Sequence, residues 1–276
     1  MARNVRLYPA LLFMVIATMS IVAYWKSWAL NRGDILRPVL ALSYMTNLAY
    51  LFGLSGGMHL NCWSLAVEEQ FYIGWSLALP WVTEKGPRAR ALMLGGLIFA
   101  SLLLHMRVIP GPNWLTGTDS LFVHVWKMVV GACLRLLPLP RFLYSRHMAY
   151  IGLVFIATLV FSPLTDVTRA IVSPVAQLLA VGVAVSIIMA SVGEGAENTP
   201  LLSWKASRFA GRISYGWYLW QLPMLKITAY AERHRQHPAF LAVSATSVAF
   251  LAAVVSTFLV EEPIRTWYRS RQRQKA

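Results

Sequence analysis

Long apolar runs, several of about 20 residues, recur along this chain between short segments that hold nearly all of its charge. The hydrocarbon core of a bilayer is about 30 Å thick and a helix rises about 1.5 Å per residue, so a run of that length can cross. Spans are expected at 7–25, 63–82, 91–105, 123–140, 148–161, 173–191, 213–229 and 239–260. Residues 38–57 are also apolar, but Thr46, Asn47 and the Gly53-Leu54-Ser55-Gly56-Gly57 break spoil a clean crossing. A partial or re-entrant helix is expected there, tolerable only where protein or a water-filled cavity covers its backbone. The expected fold class is therefore all-α, a polytopic membrane helix bundle of about eight crossings plus one partial helix.

Composition supports that reading. Charged residues make up 13% of the chain and hydrophobic residues 57%, against about 25% charged in a soluble domain. No linker, repeat or low-complexity tract divides the sequence, so residues 1–276 read as one integral membrane domain, with 264–276 as a basic tail. The net charge of +14 comes from basic residues scattered between apolar runs. They form no basic helix or aromatic-lined face, which argues against a nucleic-acid partner and for orientation in the membrane. With a cytoplasmic N-terminus, sixteen of the 25 Lys and Arg residues fall on the inner side and seven on the outer, with Lys127 and Lys226 inside spans. Both termini are then cytoplasmic, with membrane lipid as the first partner. The two cysteines, Cys62 and Cys133, are too few for a disulfide framework or a thiolate zinc site, and no metal is expected. The run Leu7 to Trp25 is longer than a usual signal-peptide core, although cleavage after a small residue such as Ala29 is a second reading.

The chemistry is concentrated in Asn61 to Tyr72, N-C-W-S-L-A-V-E-E-Q-F-Y. A charge at the bilayer centre costs roughly 2.5–3.5 kcal/mol on insertion scales, so adjacent carboxylates in a span need a partner, a cavity or a function. On a helix Glu68 and Glu69 point about 100° apart. Ser64, Glu68 and Tyr72 recur at four-residue spacing and share a face. One carboxylate can then face a cavity, where it would suit acid–base work on a hydroxyl, while the other holds a neighbouring helix. A purely structural pair held by Arg or backbone donors satisfies the residues equally well.

Trp63-Ser64-Leu65-Ala66-Val67-Glu68-Glu69-Gln70-Phe71-Tyr72 is similar, residue for residue, to the central motif of the acyltransferase-3 family of bacterial membrane O-acyltransferases. Three further segments resemble that family in its order. They are Arg3-Asn4-Val5-Arg6 ahead of Leu7-Tyr8-Pro9-Ala10; Gly211 to Trp220, reading G-R-I-S-Y-G-W-Y-L-W; and Val260-Glu261-Glu262-Pro263. The resemblance covers essentially the whole chain. It implies an enzyme of the cytoplasmic membrane of bacteria that moves an acyl group, usually acetyl, from acyl-CoA to a hydroxyl of an envelope or exported glycan. By it, Arg3 and Arg6 engage the acyl-CoA (acetyl-CoA) donor, as guanidiniums suit phosphates; without it they read as an inside-positive anchor. Glu68 and Glu69 become the catalytic candidates. Trp63, Ser64, Tyr72, Tyr215, Tyr218 and Gln221 become the substrate cavity. The acceptor is a glycan or lipid-linked sugar, and a separate acyl-accepting protein is a further partner.

Departures from the family matter as well. Its first two helices, the first bearing a catalytic histidine, precede the R-x-x-R, so no residue here inherits that histidine. Gln221 stands where a histidine often follows Leu-Trp, Asn61 where one often precedes the central motif, and His124 and Lys127 where Arg and an acid are preferred. His59, His105, His124 and His147 are isolated near span ends, and His234 and His237 lack a third ligand. The alternative is therefore a truncated or degenerate, catalytically inactive relative that only binds acyl-CoA or a glycan lipid. A transporter of lipid-linked sugars is a third reading, weakened by the lack of internal repeats. No G-x-S-x-G, phosphate-binding glycine loop or H-E-x-x-H occurs to support a hydrolase, nucleotide-binding or zinc-protease reading.

Overall fold

The structure is a computed structural model that describes residues 2–27, 30–54, 57–106, 108–117, 119–136, 181, 184, 204–231 and 238–274. Among these, every regular element is helical. The expected spans 148–161 and 173–191 lie almost wholly outside the described residues. The helices are α1 (Ala2–Trp25), α2 (Arg32–Leu42), a 3₁₀ helix (Thr46–Phe52), α3 (Cys62–Glu84), α4 (Pro87–His105), α5 (Asn113–Thr116), α6 (Leu121–Leu136), α7 (Lys205–Ala231) and α8 (Pro238–Ser256). A π-helical turn (Thr257–Glu261) then leads into α9 (Glu262–Arg273). Among the described residues, three helical stretches are long and apolar enough to cross a membrane: Leu7–Trp25, Pro87–His105 and Phe240–Arg273.

The chain gathers into two units, Met1–Glu69 with Arg208–Ala276, and Gln70–Ser207. In the first, α1, α2, the start of α3, α7 and α8 surround a core of Leu11, Met14, Leu65, Leu219, Trp220 and Met224. Small residues let these helices approach closely, as membrane bundles require when lipid is as apolar as the core. Ala10, Ala41, Ala249 and Ala253 are almost fully buried. Gly216 marks the tightest approach: a Cβ there would meet the Ala253 carbonyl and Thr257 Oγ1, each at 3.1 Å.

Residues 38–57 form no single helix. An Asn-x-x-Asp capping box starts α2 earlier than expected: Asn31 Oδ1 accepts from the Asp34 N–H at 3.0 Å, and Asp34 Oδ2 accepts from the Asn31 N–H at 2.9 Å. Tyr44, at φ 55°, turns the chain after α2, and Gly53, at φ 69°, ends the 3₁₀ helix. Eleven α-helical and seven 3₁₀ residues rise about 16 and 14 Å, each about half of the hydrocarbon thickness. The R-x-x-R segment likewise differs from expectation in belonging to α1 itself rather than preceding it.

The second unit is organised by α4 against α6. Ser101 Oγ donates to the Phe122 carbonyl at 2.6 Å and accepts from the Trp126 N–H at 3.1 Å, which pins the two helices at the fully buried Trp126. Phe71, Val82, Leu94 and Val129 form its core.

Candidate functional site

The site is built from α7 outward. Pro223 lies inside α7, and a proline offers no N–H to the carbonyl four residues before it. That carbonyl belongs to Leu219, in the packed core. Asn61, immediately before α3, supplies the missing donor: its side-chain amide gives hydrogen bonds to the Leu219 carbonyl at 3.2 Å and the Tyr218 carbonyl at 2.7 Å. Tyr218 answers by donating its hydroxyl to the Asn61 carbonyl. Its single proton is then engaged, so Ser64 Oγ, 2.6 Å from the Tyr218 oxygen, is the donor of that pair. The start of the carboxylate helix is thus clamped to the middle of α7. Replacing Asn61 with Leu leaves buried carbonyl groups unsatisfied and should destabilise the protein by about 1–3 kcal/mol. A thermal melt in detergent checks this, and an unchanged midpoint would remove Asn61 from the clamp.

Two more bonds extend the arrangement. Tyr215 donates to the Leu7 carbonyl at 3.0 Å, joining α7 to α1 just after the R-x-x-R. Arg212 Nε donates to Glu262 Oε1 at 3.0 Å, joining α7 to the start of α9. Glu262 also lies 3.5 Å from Arg265. Beside it Glu261 is only 5% exposed, with Thr257 Oγ1 3.5 Å from its carboxylate. Of the four sequence segments singled out above, scattered over some 260 residues, three and the Trp63–Glu69 part of the fourth therefore meet within one unit, and α7 touches each of the other three.

Trp63 and Gln221 line a cleft of about 450 Å³ with Leu60, Asn61, Trp217 and Leu225. Ser64, Tyr215 and Tyr218 are committed to the bonds just described. Glu68 and Glu69 follow on α3, half-buried, about one turn and about one and a half turns past Ser64. Tyr72 continues the Ser64–Glu68 stripe along the same helix but lies in the other unit, 46% exposed, with its ring edge-on to Phe71. Arg3 and Arg6 occupy neighbouring positions in the first turns of α1.

The sequence reading gave no role to the pair made by His59 and Thr18. Thr18 Oγ1 lies 2.8 Å from the Met14 carbonyl and 2.9 Å from His59 Nε2. With its one proton on that carbonyl, Thr18 accepts from a neutral imidazole. Burial, and secondarily the positive charge of Arg37, push the His59 pKa down to about 4. An unfolded histidine titrates near 6.5, so the folded protein resists a proton that the unfolded chain accepts. The stability from neutral His59 is complete above pH 6.5 and declines as pH falls toward 4, by roughly 3 kcal/mol in all. Unfolding followed from pH 7.5 to 4 should show this slope in the native protein and a shallower one in His59→Leu. Equal slopes would assign the acid sensitivity to other groups. Asp34 behaves oppositely. Burial raises its pKa, but hydrogen bonds from Lys26 and the Asn31 N–H, with the charges of Lys26 and Arg37, outweigh burial and hold the carboxyl below its ordinary value.

The chain is similar to named O-acetyltransferases. It is 28% identical over 288 aligned positions, 95% of its length, to a protein of Bacillus subtilis provisionally named a peptidoglycan O-acetyltransferase, of which the match covers 44%. It is 26% identical over 94% of its length to the peptidoglycan O-acetyltransferase OatA of Listeria monocytogenes, covering 45% of that protein. It is 24% identical, also over 94%, to the O-acetyltransferase OatA of Staphylococcus aureus, covering 46%. No protein-family model matches the chain, nor does any solved structure. It spans less than half the length of these curated relatives.

Proposed function

We propose that this chain is a membrane O-acyltransferase of the acyltransferase-3 type that carries an acyl group, acetyl by preference, from acyl-CoA to a hydroxyl of a cell-wall glycan. The observation that carries the reading is the convergence on α7 of the four segments that resemble that family, through Tyr215–Leu7, Asn61 and Ser64 with Tyr218, and Arg212–Glu262. The relatives, named for peptidoglycan O-acetylation, support a glycan acceptor.

In this reading Arg3 and Arg6 bind the phosphates of the donor at the inner face. Both termini lie in the cytoplasm, and the chain crosses the bacterial inner membrane about eight times. The acceptor hydroxyl attacks the thioester carbonyl; a C–O bond forms, the C–S bond breaks, and the coenzyme leaves as a thiol once it takes the displaced proton. Glu68 or Glu69 orients and polarises the attacking hydroxyl. Trp63 and Gln221 shape the cleft beside the clamp, and Ser64, Tyr215 and Tyr218 hold its walls. Tyr72 extends the polar stripe of α3. A separate protein receives the acyl group where onward transfer is needed.

Gln221 favours one competing reading, a scaffold that binds acyl-CoA or a glycan lipid without chemistry, because an amide in the cleft cannot titrate as the family's imidazole does. Radiolabelled acetyl-CoA, offered with peptidoglycan fragments to the purified chain and to a version carrying any in-frame upstream codons, separates the two. Label in the glycan supports the transferase. Label in neither sample, with both proteins folded and binding the donor, supports the scaffold.

A further inference from the structure

The helical stretch made by α8, the π-helical turn and α9 carries all of its charge at one end. No residue from Pro238 to Val260 is charged, and α8 alone, 19 residues and about 28 Å, nearly covers the hydrocarbon thickness. α9, 12 residues and about 18 Å, therefore extends past it. Two bonds one turn apart on α7 fix where it emerges: Tyr215 to the Leu7 carbonyl, and Arg212 to Glu262. The start of α9 thus lies beside the first turns of α1, against which it packs.

At 100° per residue, Ile264, Trp267, Tyr268 and Arg271 fall on one side of α9, and Arg265, Arg269 and Arg273 on the side adjoining it. Glu262, the only acid in α9, is engaged by Arg212 and lies 3.5 Å from Arg265. Arg269, Arg271 and Arg273 are exposed and take part in no ion pair among the described residues. Arg271 lies over the Trp267 ring, 4.6 Å from its centre, a contact in which no acid compensates its charge. Trp267 itself is 55% exposed. An open amphipathic ring beside three uncompensated guanidiniums is the make-up of an interfacial helix, whose apolar residues reach the acyl boundary while its cations meet the headgroups. A soluble anion would need the arginines but would leave the open tryptophan without a purpose.

We propose that α9 docks on the membrane surface by binding the headgroups of anionic phospholipid, with Arg269, Arg271 and Arg273 on the phosphates and Trp267 at headgroup level. Guanidiniums suit phosphate oxygens, and a basic cluster directly after a span draws anionic lipid within a Debye length. The lipid belongs to the inner leaflet, which rests on the reading that both termini are cytoplasmic. Because α9 packs against the first turns of α1, lipid that holds α9 also steadies the segment bearing Arg3 and Arg6.

Native mass spectrometry of the purified full chain, titrated with dioleoylphosphatidylglycerol or dioleoylphosphatidylcholine, gives an apparent Kd for each lipid. Phosphatidylglycerol should bind more tightly. Changing Arg269, Arg271 and Arg273 together to Gln should weaken it by about 10- to 100-fold and leave phosphatidylcholine unaffected, whereas the triple Lys variant keeps most of the preference. Trp267→Ala should weaken both lipids. Equal affinity for the two lipids, or native phosphatidylglycerol binding in the triple Gln variant, overturns the proposal. So does a triple Gln variant that loses coenzyme A binding in phosphatidylcholine nanodiscs while keeping phosphatidylglycerol, which would make α9 part of the donor site. Ser270→Cys, exposed to a membrane-impermeant maleimide in sealed vesicles of either orientation, tests the topology separately. Labelling from the cytoplasmic side without a lipid preference keeps the topology and removes the dock. Labelling only from the outer side removes the topology, and the inner-leaflet dock with it.

Discussion

Glu69→Gln should reduce acetyl transfer by roughly 10²–10⁴-fold, the range spanned by a positioned acid–base group, while the protein still inserts and folds. Gln keeps the size and the hydrogen-bonding reach of the side chain and removes only its charge and basicity. Label incorporation into glycan, normalised to folded protein, gives the effect. A parallel Glu68→Gln tells which carboxylate acts, because the two point about 100° apart on α3 and cannot serve the same reacting atom. Transfer at native rate in Glu69→Gln would return Glu69 to a structural role. A loss confined to Glu68→Gln would move the chemistry onto the stripe that begins at Ser64.

Changing Arg3 and Arg6 together to Ala should raise the Kd for acetyl-CoA by roughly 10²-fold or more, since each charge-assisted hydrogen bond contributes about 1.5–3 kcal/mol. Binding of the glycan acceptor should weaken less. The double Lys variant makes the measurement decisive: it preserves the inside-positive charge that orients the chain but loses the planar fork that grips phosphate. Weak donor binding in both variants assigns the pair to the donor. Native donor affinity in both would leave Arg3 and Arg6 as topological anchors.

The chain carries much of this arrangement on its face, and the particular residues explain where legibility ends. Helical character followed from apolar run length, and the described parts of the expected spans are helical, though α7 starts eight residues before the expected 213. The break within 38–57 was visible in its glycines, yet the Asn31–Asp34 box that fixes where α2 begins is also a local signal, and it was not read. The clamp was half legible. Pro223 announces an orphaned carbonyl at Leu219, but nothing local says that Asn61, 158 positions earlier, provides the donor. A cavity of about 320 Å³ lined by Trp25, Asp34, Arg37, His59 and Lys226 was illegible for the same reason: its walls come from four separate stretches of chain, and an isolated lysine in an apolar run reads only as a side chain that snorkels to the interface.

The Asn61–Tyr218 clamp also sets a clock for biosynthesis. Its partners are 157 residues apart, an interval of about 8–30 s at 5–20 residues per second of translation. For that time α1 and the start of α3 have left the ribosome while the helix that completes their packing is not yet made. The Asn61 amide must be kept from wrong partners by lipid-facing neighbours, the insertion machinery or water. A slow-translated stretch or a stalled ribosome between the two would lengthen the exposure, and quality-control proteases of the membrane would meet a half-assembled bundle.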